Sequence, residues 1–327
     1  MTLAVNRALA ALAAAVLSLF PTFASAQTWP SKTVKFIVPL GPSSGADITA
    51  RLLADRLQTK WGQPIVVENR AGGDGLVGIQ AFLSANDDHT LFFGPTASYT
   101  AHPFTRASVP YNAADIIPIV RTSVTVVTVA VPVALGLNTL NDLVGLARRE
   151  PGKLNWSAVT GLNDFQFQAL VKAAGVEVVR VPYRDLNQAV ADLGENRIQV
   201  YSSAYATVRP AVQSGKVKLI AITNTSRASM IPDVPTAREA GHPAAEFDGL
   251  VGIHGMPVVP EAARRKIMVD TIDVLKDPVI AERLTVGGTV VAPGDTATFL
   301  RAIEVQKATA LATSKVVDMR QTAEPAK

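Results

Sequence analysis

Beyond residue 27 the chain alternates short β-branched runs with longer segments whose apolar residues recur every three or four positions. Val34–Val38 reads as a strand, and Gly45–Trp61 as a helix that turns Ile48, Leu52, Leu53 and Leu57 inward. Strand Ile65–Val67, helix Leu76–Ser84 and strand Leu91–Phe93 follow. After Arg121 the pattern predicts strand Val124–Val131, helix Leu140–Arg149, strand Leu154–Trp156, helix Phe165–Ala174 and strand Val176–Val181. Helix Leu186–Leu193, strand Ile198–Tyr201, helix Tyr205–Gln213 and strand Val217–Ile222 continue it. Thr223–Pro243 carries proline and turn signals and reads as irregular. Strand Leu250–Ile253 and helices Pro260–Leu275 and Asp295–Ala312 close the chain. Such alternation predicts βαβ units, an α/β class and mainly parallel sheets. Ligands of such sheets sit at the carboxyl ends of strands, where loops enter helices.

The first 26 residues depart from this pattern. Arg7 precedes an apolar run from Ala8 to Phe20, then Pro21 and Ala24-Ser25-Ala26. A basic start, a short apolar stretch and an A-x-A end predict a signal peptide cleaved after Ala26. The run is shorter than the roughly 20 residues that span a bilayer. Thr122–Leu135 is also apolar, but it is short, contains Pro132 and is rich in Val and Thr, so it reads as buried strand.

Length and composition narrow the chemistry. At about 100–200 residues per domain, 327 residues predict two domains. The chain has no cysteine, which removes disulfides, thiol catalysis and Cys-held metal. A net charge of +4 without a basic run argues against a nucleic-acid face. Four lone histidines and scattered carboxylates form no metal constellation, Asp87-Asp88-His89 reading as a solvated turn.

Two glycine motifs have competing readings. Gly41-Pro42-Ser43-Ser44-Gly45 matches the G-x-S-x-G pattern of a hydrolase elbow between a strand and a helix. Pro42 lies inside the turn, and Pro39-Leu40 separate it from the strand. The other reading is a set of small residues exposing the N–H groups that open a helix, which makes an anion site. Gly73-Asp74-Gly75-Leu76-Val77-Gly78 matches G-x-G-x-x-G, but the next strand ends in Phe93-Gly94-Pro95 without a ribose-binding acid. A turn for close helix–strand packing is the better reading. Ser157-Ala158-Val159-Thr160-Gly161-Leu162-Asn163 offers a second loop of small and hydroxyl residues before a helix.

Trp29-Pro30-Ser31-Lys32, Gly62-Gln63-Pro64-Ile65-Val66-Val67-Glu68-Asn69-Arg70 and the glycines through Gly78 resemble the Bug/TctC receptors. Pro151-Gly152-Lys153-Leu154-Asn155, Val181-Pro182-Tyr183, Ser214-Gly215-Lys216, Pro232-Asp233-Val234-Pro235-Thr236 and Glu239-Ala240-Gly241 extend the resemblance. It implies a two-lobe periplasmic binding protein fold, each lobe a mainly parallel sheet flanked by helices, with the ligand cleft between. Residues 27–124 with 247–327 would form lobe 1, and residues 125–246 lobe 2. Carried over by motif, the ligand contacts are Leu40, Ser43, Ser44, Gly45, Asp47, Thr96 and Ser98 in the first lobe. Ser157, Ala158, Thr160, Gly161, Asn163, Tyr183 and Ser203 supply the second. The resemblance implies a monomeric receptor in the periplasm that captures a small di- or tricarboxylate, or a related organic acid, for membrane transporter subunits. It implies no catalytic residue, no cofactor and no metal. An exported Ser hydrolase built on Ser43 and Ser44, and a ligand-sensing receptor for a membrane kinase, are the alternatives.

Several positions depart from the family pattern. Pro42-Ser43-Ser44 stands for a Pro-Gly-Gly turn, Arg184-Asp185-Leu186 for Lys-Gly-Gly, Ser203 for an acid and Leu250 for an aromatic. A buried ammonium needs a counter-charge, so neutral Ser203 predicts a non-amino carboxylate, aliphatic or hydroxylated. Leu186 and Leu250 leave an aromatic acid open, and Asp47 or Asp185 would restore the charge by turning inward.

Overall fold

The chain is described by a computed structural model covering residues 29–42, 44–159, 162–183 and 185–317. The expected leader 1–26, with its cleavage point, lies outside the described residues, as do Ser43, Thr160, Gly161 and Arg184. The chain enters through strand β1 (Val34–Val38), helix α1 (Gly45–Trp61), β2 (Ile65–Asn69), α2 (Leu76–Ala85) and β3 (Thr90–Pro95). Two short helices, α3 (Ala97–Thr100) and α4 (His102–Thr105), lead to β4 (Ile117–Thr125). A second set follows: β5 (Val127–Pro132), α5 (Leu140–Arg149), β6 (Asn155–Ala158), α6 (Leu162–Ala174) and β7 (Val179–Arg180). It continues through α7 (Leu186–Gly194), β8 (Val200–Ala204), α8 (Tyr205–Gln213) and β9 (Val217–Ile222). After an irregular stretch come β10 (Gly249–Gly255), α9 (Glu261–Leu275), α10 (Pro278–Val286), β11 (Thr289–Gly294) and α11 (Thr296–Ser314).

Local chemistry sets these ends. Ser44 caps α1, taking the Asp47 N–H at 3.3 Å, and Gly62 ends the helix at φ 66°, a conformation that suits glycine. Thr139 and Asp142 form a reciprocal capping box at α5. The strands assemble into a six-stranded sheet, β11-β4-β10-β3-β1-β2, and a five-stranded sheet, β7-β6-β8-β5-β9. The first packs Ile37, Phe92 and Leu250 against Ile79, Phe82, Phe299 and Ile303 of the helices. The second packs Val129, Trp156 and Val200 against Leu140, Leu143, Phe167 and Leu170, with Trp156 and Phe167 ring centroids 4.6 Å apart.

The two-lobe α/β expectation stands: most strands of each sheet run one way, and the few that oppose them make both sheets mixed. β1 runs parallel to β2 and β3, but β10 is antiparallel to β3 and β4, and β4 to β11. In the second sheet β6 is parallel to β7 and β8, while β5 opposes both β8 and β9. The cause is the crossovers. β4 leaves for the other sheet and β10 comes back from it, so β10 must run against the strands beside it. The expected single strand Val124–Val131 is in fact the end of β4 and the start of β5, separated by Val126. That residue is 1% exposed and packs with Ile222 and Ala228, so the apolar pattern continues unbroken through the crossing.

Asn224 ties the two crossings together. Its Oδ1 accepts from Val127 N at 2.9 Å, and its Nδ2 donates to Thr125 O at 2.9 Å and Asp248 Oδ1 at 3.2 Å. Thr225 Oγ1 donates to Asp248 Oδ2 at 2.7 Å, and Phe247 N to Thr223 O at 2.7 Å.

Candidate functional site

The strand directions determine which loops meet. β4 ends, and β5 begins, where the chain passes between sheets. β1, β2 and β3 run the same way as β4, and β6, β7 and β8 run opposite to β5. All six therefore point their carboxyl ends at the side where the lobes join. Contacts across that side agree. Phe165 of α6 is buried with Ala101, Phe247, Ala310 and Val317. A Cβ on Gly288 would come within 2.9 Å of Ala206 N in α8, and one on Gly45 within 3.0 Å of Thr289 Oγ1. Arg209 of α8 donates to the Val286 carbonyl. The start of α1, the start of β11 and the start of α8 are thus in close succession.

In the first lobe, the loop ahead of α1 is fixed by a buried carboxylate. Asp47 is 3% exposed; its Oδ1 accepts from Arg51 Nε at 3.0 Å and Asn69 Nδ2 at 2.9 Å. Asn69 Nδ2 also donates to Leu40 O at 2.9 Å, clamping the loop from the end of β2. Asp47 therefore points into a lobe-internal network and supplies no loose counter-charge. Ser44 Oγ takes the Asp47 amide and Ser44 O takes the Ile48 amide, which leaves the Gly45 and Ala46 N–H groups as the helix-opening donors. Thr96 is fully buried and donates to Gln306 Oε1 at 2.5 Å, so its hydroxyl serves α11. Ser98 packs on the glycine turn: a Cβ on Gly75 would meet its Oγ at 2.7 Å, and one on Gly78 would meet Pro39 Cα at 2.8 Å. That crowding agrees with the packing reading of the G-x-G-x-x-G match.

In the second lobe Ser157 and Ala158 end β6, and Asn163 lies half-buried in the first turn of α6. Ser157 is 1% exposed, and its Oγ has no hydrogen-bond partner. Next to Asn163, Asp164 is buried and holds Arg180 through two bonds of 3.1 and 2.8 Å. Burial raises its carboxyl above the ordinary range, with Arg180 pulling the other way and Asp74 of the glycine turn adding to the rise. Tyr183 donates to Asp192 Oδ2 at 2.7 Å; burial and that bond push its hydroxyl up to about 12. Asp185 caps α7 by accepting from Asn187 N at 2.9 Å. Ser203 is fully buried, its Oγ directed at Ala204 O at 3.4 Å. Leu250 lies in the first lobe's core.

The arrangement brings two helix starts, α1 and α6, to the interlobe side, each preceded by small and hydroxyl residues. The N–H groups that open a helix, with the positive end of its dipole, suit an anion, and two such ends suit one with two acidic groups. Leu40, Ser44, Gly45 and Asp47 share one loop network, while Thr96 and Tyr183 have hydroxyls engaged within their own lobes. Sequence reasoning missed Asn69 and Gln306, whose partners lie 22 and 210 residues away. It also missed Gln166, a polar residue on a buried helical strip. Two surface grooves, of about 380 Å³ beside Tyr99, Phe104 and Leu311 and about 290 Å³ beside Glu68 and Arg70, belong to the first lobe. Among the described residues no cluster of three His, Asp or Glu could hold a metal, and no helix is long and apolar enough to cross a membrane.

The model of the TctC family, described as the tripartite tricarboxylate transporter family receptor, matches residues 49–315. A UPF0065 protein in the tcbD-tcbE intergenic region of Pseudomonas sp. (strain P51) is 28% identical over 284 residues, 85% of this chain and 84% of that one. Among solved structures, one described as a periplasmic transporter is 27% identical with a TM-score of 0.79, covering 90% of this chain and 99% of its own. Rpa4515 of R. palustris, solved with adipate, is 24% identical with a TM-score of 0.77, covering 88% and 99%. MatC from Rhodopseudomonas palustris, with bound malate, is 23% identical with a TM-score of 0.75, also covering 88% and 99%.

Proposed function

Because the chain belongs to the tripartite tricarboxylate transporter family of receptors, we propose that it is an exported solute-binding protein that captures a small organic carboxylate between its lobes. The observation that carries this reading is the family match over residues 49–315. The relatives holding adipate and malate support an aliphatic dicarboxylate or hydroxy acid as the ligand class. In this reading the α1 and α6 starts each receive one carboxylate, and a membrane transporter takes the ligand on. Periplasmic residence after loss of residues 1–26 goes with it.

The side chains support binding over hydrolysis. Ser44 Oγ is an N-cap acceptor, and the four histidines bond elsewhere: His89 to Asp88, His102 to Tyr111, His242 to Asn141 and His254 to Tyr99. Among the described residues no histidine bonds Ser44 as a general base would; Ser43 lies outside them.

Thermal-shift titration of ligand-stripped protein with aliphatic di- and tricarboxylates tests the proposal. A ligand at a hundredfold excess over Kd stabilises by about 2.7 kcal/mol. Asn163→Asp sharpens the test, because an acid in the first turn of a helix stabilises it by roughly 0.3–1 kcal/mol. The variant should keep or gain apo stability while its affinity for the bound acid falls at least about tenfold, as expected for a charge placed against a carboxylate. Unchanged affinity would place the ligand away from α6.

A further inference from the structure

Helix α6 carries a glutamine that its protein neighbours leave unanswered. Gln166 is 1% exposed, yet neither its Nε2 nor its Oε1 has a hydrogen-bond partner. A carboxamide in that state has given up water and gained nothing in return, and buried polar groups are partnered in the large majority of cases. Its position indicates the missing partner. Ala169, three residues on, belongs to the interlobe cluster, and Leu170, four residues on, to the second lobe's core. Gln166 continues that strip one turn nearer the start of α6. Side chains on a helix lean toward its N-terminus, which carries the carboxamide toward the start of α6.

A second orphan lies on the sheet beneath. Ser202 is 1% exposed, and its Oγ also has no partner. In register it faces Ala158, so the two share a sheet face, and Ala158 packs into the core that α6 fills with Phe167 and Leu170. Ser202 thus sits at the carboxyl end of β8 under α6, on the side where the lobes join.

We propose that Gln166 and Ser202 form a specificity element that reads a hydroxyl group on the bound acid. The inference rests on the carboxylate-receptor reading above. A carboxylate only accepts hydrogen bonds, so it cannot satisfy Gln166 Oε1. An ammonium could, but it would bring a charge that needs a buried counter-ion. The buried acid on the same helix, Asp164, already holds Arg180 through two bonds. A neutral hydroxyl can donate to Oε1 and accept from Nε2 or Ser202, which answers these orphans without importing charge. Sites built to bond a hydroxyl discriminate strongly against the analogue that lacks it, because their own groups are then left unpaired.

Calorimetry on ligand-stripped protein tests this with two pairs that differ by one hydroxyl: L-malate against succinate, and citrate against tricarballylate. The hydroxy acid of at least one pair should bind at least about tenfold tighter than its partner. Gln166→Met, close in size but unable to form these bonds, should erase that preference to within about twofold by weakening the hydroxy acid alone. Its apo melting temperature should hold or rise, since an unpartnered polar group is removed; if it falls sharply, Ser202→Ala carries the same comparison. A wild-type protein that binds these acids without hydroxyl preference, or a variant that weakens both members of a pair equally, overturns the inference and leaves the receptor reading standing. Binding of none of the four acids also overturns the inference, and the receptor reading then rests on the wider thermal-shift titration above.

Discussion

Replacing Asn69 by alanine should weaken the first lobe by about 2–4 kcal/mol, the range for two part-buried hydrogen bonds of which one is to a charged group. Asn69 stands at the end of β2 and makes three hydrogen bonds: to Leu40 O, to Asp47 Oδ1 and from Arg51 Nη2, at 2.9, 2.9 and 2.8 Å. The last is exposed, so water replaces it at little cost. The bond to the Leu40 carbonyl is worth roughly 0.5–1.5 kcal/mol, and the bond to the 3%-exposed carboxylate of Asp47 roughly 1.5–3 kcal/mol. Asp47 keeps Arg51, which prevents the larger loss of a fully unpaired buried charge. Urea unfolding followed by circular dichroism reads the change, and the melting temperature should fall by something on the order of 5–10 °C. Asn69→Asp separates this account from simple loss of packing. It preserves shape, removes both donors and sets a second carboxylate against Asp47, so it should be less stable than the alanine variant at pH 7. An Asn69→Ala protein within about 0.5 kcal/mol of wild type would refute the network as the anchor of the loop. So would an Asn69→Asp protein as stable as wild type.

Acid should destabilise the chain early, because burial holds His102 down to about 4 and His254 down to about 3. Unfolded imidazoles protonate near pH 6.5, so between there and pH 4 the unfolded state binds more protons and stability falls as pH drops. The urea midpoint should decline from pH 7 to pH 4.5, and His102→Gln should flatten that slope; a flat wild-type profile counts against it. Gly78→Ala should cost about 1–3 kcal/mol despite alanine's helix preference, since its Cβ would press on Pro39 at 2.8 Å and the Arg70 carbonyl at 3.1 Å. A melting temperature equal to wild type would show that Pro39 yields.

Much of the fold was legible because local signals coincide with element ends. Helices α1, α5 and α8 and strands β1 and β9 run between the residues that the pattern marks. In α1 the capping serine and the left-handed glycine are adjacent in sequence to what they terminate. The β4–β5 crossing was illegible because Val126 stays buried between sheets, so the hydrophobic run never breaks. β11 and α10 went unmarked in the expected element order: Thr289–Gly294 is a short edge strand holding Pro293 and Gly294, and Pro278–Val286 alternates weakly. For the candidate site, the helix-opening loops could be read from their small residues. Their supports could not. Asp47 looks like an ordinary first-turn acid until Asn69 arrives from another strand, and Thr96 looks like a loop hydroxyl until Gln306 meets it from 210 residues away. Gln166 was hidden for the opposite reason: in a helical pattern a glutamine reads as solvent-facing, and only the tertiary fold buries it.

The strand order has a consequence for how the chain can be made. β10 lies between β3 and β4, although it follows them by more than a hundred residues. Until residues 249–255 have been synthesised, β3 and β4 lack their shared neighbour and the first sheet cannot close. The second sheet uses only β5 to β9 and has all its strands by Ile222. The inserted lobe therefore has every strand of its sheet in hand first, while the sheet that holds the N-terminal strands is complete only near the far end of the chain. Long-range pairing of this kind is slow, because loop-closure entropy must be met before the contacts form. A chain stopped at residue 246 would carry a completed second sheet beside an open first one. Its unpaired β3 and β4 edges would offer ready surfaces for association with other chains.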